Sequence, residues 1–225
     1  MNTSLFSLTY TSENVSLLPS LINTLIMTLV SLAIAAPVGI FAAIFLVEYA
    51  KKGSCFVKLI RITAETLSGI PSIVYGLFGM LFFVTALHWG MSLLSGALTM
   101  VIMVLPLIMR TAEEALKSVP DSYREASFGL GAGKLRTIFT IVLPSAVPGI
   151  LAGVILAIGR VVGETAALLY TSGTVAAVPN SLMGSGRTLA LHMYVLSSEG
   201  LHVNQASATA VVILAFVLVI NGLSG

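Results

Sequence analysis

Arg160 and Glu164 stand four residues apart in the run Ala157-Ile158-Gly159-Arg160-Val161-Val162-Gly163-Glu164-Thr165-Ala166-Ala167, among side chains that are otherwise apolar or small. At ~1.5 Å per helical residue, Arg160 lies roughly 24 Å along the helix from Pro144. That depth puts it in the outer half of a bilayer or just past the midplane, where a charge costs about 2.5–3.5 kcal/mol on insertion scales. The spacing places both groups on one helix face, where each partly neutralises the other. Two readings follow. In one, the pair is structural, with Glu164 holding Arg160 near the outer interface. In the other, the pair faces an aqueous cavity and Arg160 meets a passing anion. The planar, permanently charged fork suits a phosphate, to which it can donate two parallel hydrogen bonds. Glu164 would then orient Arg160 and keep the anion from binding too tightly to leave, as conduction requires. Thr165, and Thr171 beyond it, would add neutral hydroxyl donors.

A second polar island runs from Glu125 to Pro144, between greasy stretches, and carries Arg124, Glu125, Lys134 and Arg136. Ser122 precedes Glu125 by three residues, a capping-box spacing that predicts a helix start there. Pro120 and Asp121 reinforce that start. Gly129, Gly131 and Gly133 then weaken the helix and permit a sharp turn. A second helix is expected from about Leu135.

The elements that must hold these groups are membrane spans. The chain has 225 residues, 57% hydrophobic and 9% charged, with a mean hydropathy of +1.03. Soluble domains carry about 25% charge, so this composition reads as a polytopic, all-α membrane protein. One transmembrane domain over residues 1–225 is expected, with five helices at about 18–47, 66–87, 92–110, 138–164 and 205–222, each near the ~20 apolar residues a crossing needs. Pro37 and Gly39 are expected to kink the first. Loops are expected at 111–137 on the inside and 170–204 on the outside. Within the outer loop, Leu189, Met193 and Leu196 share a face and suggest a short interfacial helix. Nine of the eleven Lys and Arg residues fall on one side of this layout. By the positive-inside rule that side is cytoplasmic, with the N-terminus outside and the C-terminus inside. The unbasic N-terminus and long first apolar run do not read as a cleavable leader. Gly69, Ser72, Gly76 and Gly79 lie three or four apart and suit close helix packing, with Ser72 and Tyr75 as pore-lining residues in the rival reading.

The pattern Glu125-Ala126-Ser127, then Gly131, then Ile141-Val142-Leu143-Pro144 resembles the cytoplasmic "EAA" loop of ABC-importer permeases, with Ser127 in place of the usual alanine. Gly159 to Tyr170 is similar to the Arg-x-x-Gly-Glu-Thr-Ala segment of phosphate-importer permeases, and Ser68 to Gly79 and Arg110 to Leu116 also match them. The alanine after Thr165 and the later Arg187-Thr188-Leu189 favour the A type (PstA). The resemblance covers roughly residues 20–220. It implies the MetI-like (binding-protein-dependent) permease core in a prokaryotic plasma (inner) membrane. The implied partners are a C-type permease subunit forming a heterodimer, a dimer of ATP-binding subunits, an extracytoplasmic phosphate-binding protein and membrane lipid. ATP and Mg are implied in the ATPase, with no cofactor in this chain. Arg160, Glu164 and Thr165 are carried over as translocation residues, and Glu125, Ala126, Ser127 and Gly131 as the ATPase-coupling site. The family commonly has a sixth, N-terminal span, and none is read before Leu17.

Other chemistries fit poorly. Gly129-Leu130-Gly131-Ala132-Gly133-Lys134-Leu135 has neither the spacing nor the Ser/Thr of a P-loop, so ATP hydrolysis belongs elsewhere and the chain is not an enzyme. The lone Cys55 cannot form an intrachain disulfide. His88, His192 and His202 show no metal-ligand spacing and read as isolated loop or interfacial residues. Gly184-Ser185-Gly186-Arg187 reads as a flexible outer turn, and nothing points to nucleic acid. Sulfate or molybdate is the alternative cargo. An ion-gradient-driven carrier is the alternative class, although no internal repeat is evident.

Overall fold

The computed structural model describes residues 16–51, 53–200 and 203–222, and the described elements are helices. Helix α1 spans Leu18–Ile44, with Pro19 in its first turn, and runs on through a π-helical stretch Phe45–Tyr49. Helix α2 spans Cys55–Ser68, and α3 spans Ser72–Gly79 and continues as a π-helix over Met80–Ala86. Then come α4 (Leu93–Ser118), α5 (Asp121–Gly129) and α6 (Lys134–Thr137), the last passing through a π-helical stretch Ile138–Val142 into α7 (Leu143–Val162). Helices α8 (Ala166–Thr171), α9 (Leu189–Glu199) and α10 (Val203–Gly222) complete the chain's described part.

Helix α4 is the central post, packed against α1 on one side and α7 on another. Ser92 caps its start, its hydroxyl accepting from the Ser95 N–H at 3.2 Å. Met100, Met103, Val104 and Ile108 are fully or almost fully buried there, together with Met27 and Ala35 of α1 and Ala157 and Val161 of α7. Small residues set the approach. A Cβ on Gly39 would lie 2.9 Å from the Ile108 side chain, so Gly39 serves close packing of α1 on α4. A Cβ on Gly149 or Gly153 of α7 would run into Ala115 or Thr111 of α4. Apolar solvent gives helices no hydrophobic reason to associate, so such close backbone approach supplies the packing attraction.

Two expected spans look different. The stretch expected as one helix over 66–87 is broken at 69–71, where α2 and α3 meet at a bend of 101°. Pro71 explains the break, since its ring excludes the preceding residue from helical geometry. By length and apolar composition three helical runs (Leu18–Tyr49, Leu93–Ser118 and Lys134–Val162) can cross a membrane, and a fourth if the bent pair counts as one. The apolar stretch Asn204–Ile220 in α10 is shorter, so the five-span count is not reached on those grounds.

The residues expected as an outer loop are tied to α1 and α4 by hydrogen bonds. Gly184 and Leu182 carbonyls accept from the Leu93 and Leu94 N–H groups at 3.0 and 2.8 Å, satisfying orphan donors at the start of α4. Asn23 of α1 donates to the Ala177 and Arg187 carbonyls, and the Thr24 hydroxyl accepts from the Leu189 N–H at 2.8 Å. Gly186 sits so close to Asn23 that a Cβ would lie 2.7 Å from its amide nitrogen. The expected short helix exists as α9, but Leu189 and Leu196 are buried, so it packs inside instead of lying at an interface.

The histidines divide. His88 is exposed with φ 55°, beside Trp89, whose ring stacks on Phe83 at 5.9 Å. His202 lies outside the described residues. His192 is not an isolated loop residue: it is fully buried in α9. Burial, and then the Arg187 charge, lower its pKa from 6.5 to about 3. The unfolded chain therefore takes up this proton first, and stability falls as pH drops from ~6.5 towards 3, by about 2 kcal/mol at pH 5. Thermal unfolding in detergent should show a Tm lower by roughly 4–8 °C at pH 5 than at pH 7 from this group. His192→Gln should remove that share of the pH slope, and parallel slopes for the two proteins would contradict the assignment.

Candidate functional site

Arg160 projects from the last turn of α7, and Glu164 lies past its end. The helix stops at Val162, with Gly163 as its cap, so the two do not share one helix face as the spacing suggested. Glu164 is buried, and its Oε1 accepts from the Ala167 N–H at 3.1 Å, satisfying a free donor at the start of α8. An acid suits that position, where helix N–H groups have no partner of their own. Arg160 is half-buried, and among the described residues no carboxylate reaches ion-pair distance of it. The expected Arg160–Glu164 pair is therefore replaced by a carboxylate bound to the backbone and an arginine with its charge unmatched. Thr165 follows in a non-helical conformation as the residue before α8.

The second helix break comes close to the first. Tyr75 is buried in α3, and its hydroxyl donates to the Leu67 carbonyl at 2.6 Å, across the bend between α2 and α3. It is thus a second donor, beside the Ile70 N–H at 3.1 Å, to a carbonyl in the last turn of the broken helix. Ser72, half-buried, is the first residue of α3. Gly76 is packed directly on α8: a Cβ there would lie 2.8 Å from Ala167 Cα and 3.1 Å from the Ala166 and Ala167 carbonyl oxygens. Backbone cannot yield as a side-chain tip can, so Gly76→Ala should force α3 off α8 and cost about 1–3 kcal/mol. Gly129→Ala, with open space around it, is the control. Unfolding in detergent should separate the two variants, and equal stability would contradict this packing. Two interrupted helices thus pack against each other next to the end of the helix that carries Arg160.

At the other end of α7 lies the Glu125 stretch. Helix α5 begins at Asp121 with Pro120 as its cap, and Ser122 makes no capping bond, so the expected capping box is not formed. Arg124 organises the start instead. Its Nε and Nη2 donate to Glu48 Oε1 at 3.1 and 2.8 Å, and its guanidinium also donates to the Leu116 and Val119 carbonyls and to Asp121. One side chain thereby ties α5 to the ends of α1 and α4. Lys134, opening α6, lies over the Tyr49 ring at 4.9 Å, so adjacent residues of the first membrane helix brace both ends of the loop. Gly131 has φ +81°, which an L side chain rarely adopts, and supplies the turn between α5 and α6.

Glu125, Ala126 and Gly131 are exposed, whereas Ser127 points inward and its hydroxyl meets that of Thr137 at 2.8 Å. Ser127 therefore holds the loop together and presents nothing outward. Leu130 is 90% exposed, and Tyr123, Ala126, Leu130 and Arg136 border a groove of about 580 Å³. Leu130 and the adjoining groove form an exposed apolar patch, the kind of feature that marks an interaction surface.

The chain is similar to known proteins over most of its length. Residues 35–224 match the family of binding-protein-dependent transport system inner membrane components. The chain is 41% identical over 154 residues to phosphate transport system permease protein PstA 1 of Mycobacterium tuberculosis, covering 68% of this chain and 50% of that one. It is 35% identical over 213 residues to a PstA homolog of Mycoplasma pneumoniae, covering 91% of this chain and 33% of that one. The chain spans between 28% and 66% of the length of these and other curated relatives. Its fold is similar to that in an inward-facing structure of the MetNI methionine ABC transporter, with a TM-score of 0.72, 19% identity and 90% of each chain covered. With its all-helical core and membrane-length helices, the chain belongs to the MetI-like family of binding-protein-dependent inner-membrane permeases of ABC transporters.

Proposed function

We propose that this permease moves inorganic phosphate into the cytoplasm as one half of a heterodimeric pore, driven by a separate ATPase. Residues 121–137 face the cytoplasm in this reading, and with α10 as a fifth crossing the N-terminus lies outside and the C-terminus inside. A dimer of ATP-binding subunits, which holds ATP and Mg, grips α5 through Glu125, Ala126 and the Gly131 turn. An extracytoplasmic binding protein delivers the anion. It then passes Arg160, with Thr165 and Ser72 at the two helix breaks as neutral donors. The PstA-named relatives support phosphate as the cargo.

The observation that carries this reading is Arg160, half-buried at a junction of two broken helices with no carboxylate at ion-pair distance among the described residues. A charge so placed costs several kcal/mol to keep in a membrane, and such residues mark ion pathways. A guanidinium with no salt-bridge partner can offer its fork to an anion in transit.

The ATP-driven class is tested by contact. With Cys55 replaced by serine and Leu130→Cys introduced, crosslinking in membranes should trap the ATPase subunit. The complex should also co-purify in mild detergent. Modification of that cysteine by an impermeant reagent from outside, with no ATPase trapped, would contradict both the orientation and the coupling.

A further inference from the structure

The end of the bundle that carries α5 holds a second concentration of charge, separate from the Arg160 region. A cavity of about 540 Å³ opens where the ends of α1 and α4 meet α2 and α5. Its charged lining is Lys51, Arg61, Lys117 and Arg124 against Glu48 and Asp121, four cations to two anions. Glu48 is already bound to Arg124, and Asp121 lies 3.2 Å from that same guanidinium, so both carboxylates answer one of the four cations. Arg61 and Lys117 are drawn together from behind: a single buried oxygen, Glu113 Oε1, lies 2.6 Å from Arg61 and 2.7 Å from Lys117. Their side chains remain 44% and 52% exposed, and both line this cavity. Lys51, exposed at the end of α1, lines the same space. On the side of this cavity, two cations sharing one carboxylate, with a third beside them, leave positive charge over for an added anion, while Glu65 and Glu114 border a separate opening behind Arg61 and Lys117.

We infer that this cavity binds a phosphate-bearing anion between Lys51, Arg61 and Lys117. Arginine and lysine together supply the fork and the point charges that a phosphate accepts best. Two sources share that chemistry. One is the headgroup of an anionic phospholipid, for which α2 is shaped: Phe56, Leu59 and Ile62 are 60, 60 and 49% exposed and leave apolar surface beside Lys58 and Arg61. The other is free inorganic phosphate on the side of the membrane where the proposed transport delivers it. Either occupant would touch α1, α2 and α4 beside the Arg124 clamp, so occupancy would stiffen the mounting of α5 and bear on coupling. That transport consequence rests on the function proposed above; the binding does not.

The test uses the complete permease–ATPase complex carrying Arg160→Ala, which removes the other arginine expected to hold phosphate. In nanodiscs of phosphatidylcholine with phosphatidylglycerol, native mass spectrometry counts retained phosphatidylglycerol; in phosphatidylcholine discs, calorimetry titrates inorganic phosphate. One of the two probes should bind, and Lys51→Gln with Lys117→Gln should weaken that binding roughly tenfold or more. Phosphatidylglycerol retention identifies the lipid source, and a phosphate isotherm identifies the free anion. Should the double variant fail to assemble, Lys51→Gln alone, at an exposed position, should still weaken binding roughly fivefold. Binding of neither probe, or binding unchanged by the substitutions, overturns the inference. Binding here, together with no phosphate transport by the complex that keeps Arg160, would instead overturn the proposed function and leave this site standing.

Discussion

Arg160→Ala is expected to abolish phosphate uptake, by a hundredfold or more, while the subunits still assemble. The size follows from what the anion would lose. A hydrogen bond to a charged group contributes about 1.5–3 kcal/mol, and a guanidinium can supply two in parallel. Removing both takes about 3 kcal/mol or more from the site, and every 1.4 kcal/mol is a factor of ten. Assembly should survive because Arg160 makes no ion pair among the described residues whose loss would leave another charge stranded. Arg160→Lys keeps the charge without the planar fork and should fall between the two. Glu164→Gln separates the two readings of this region. The glutamine carbonyl can still accept from Ala167 N–H, so uptake should change far less than with Arg160→Ala. Uptake by Arg160→Ala within a few fold of the wild type would remove the arginine from the pathway.

The second large effect is expected at Arg124. Its side chain is 14% exposed and that of Glu48 8% exposed, so Arg124→Ala strands a buried carboxylate. Breaking such a pair costs about 3–5 kcal/mol. The same substitution frees the Leu116 and Val119 carbonyls and cuts α5 from α1 and α4. A coupling helix with a loosened base should still bind the ATPase through its exposed tip but transmit little motion. ATP hydrolysis should continue while phosphate moved per ATP falls at least tenfold. Arg124→Lys should restore little, because one ammonium cannot reach Glu48 and two carbonyls together. Restoring neutrality with Glu48→Gln in the Arg124→Ala background should recover stability but not coupling. A wild-type ratio of transport to hydrolysis in Arg124→Ala would show that α5 needs no such mounting.

Much of this was legible in the chain. The all-α membrane class follows from composition, and the turn at Gly131 from glycines spaced through a polar loop. The place of Arg160 far along a membrane-length helix follows from counting helical rise. What the chain concealed were contacts across long separations. Glu48 and Arg124 are 76 residues apart, and no local spacing links them. Ser127 resembles an outward coupling residue by its neighbours, yet its hydroxyl faces Thr137 because that face of α5 closes on α6. The Arg160–Glu164 pair failed on an assumption of continuous helix. Gly163 was the available sign of an ending, as glycine commonly terminates helices. Gly69-Ile70-Pro71 was likewise a visible break, read first as part of a packing face. His192 could not be told from a surface histidine, since burial of α9 depends on α1 and the outer loop.

The most direct test is uptake of labelled phosphate by vesicles carrying the complete complex, its ATPase included, with and without ATP. The account predicts ATP-dependent accumulation that excess unlabelled phosphate competes away and that sulfate and molybdate leave intact. Accumulation driven by an ion gradient without ATP, or displaced by sulfate or molybdate, would contradict it.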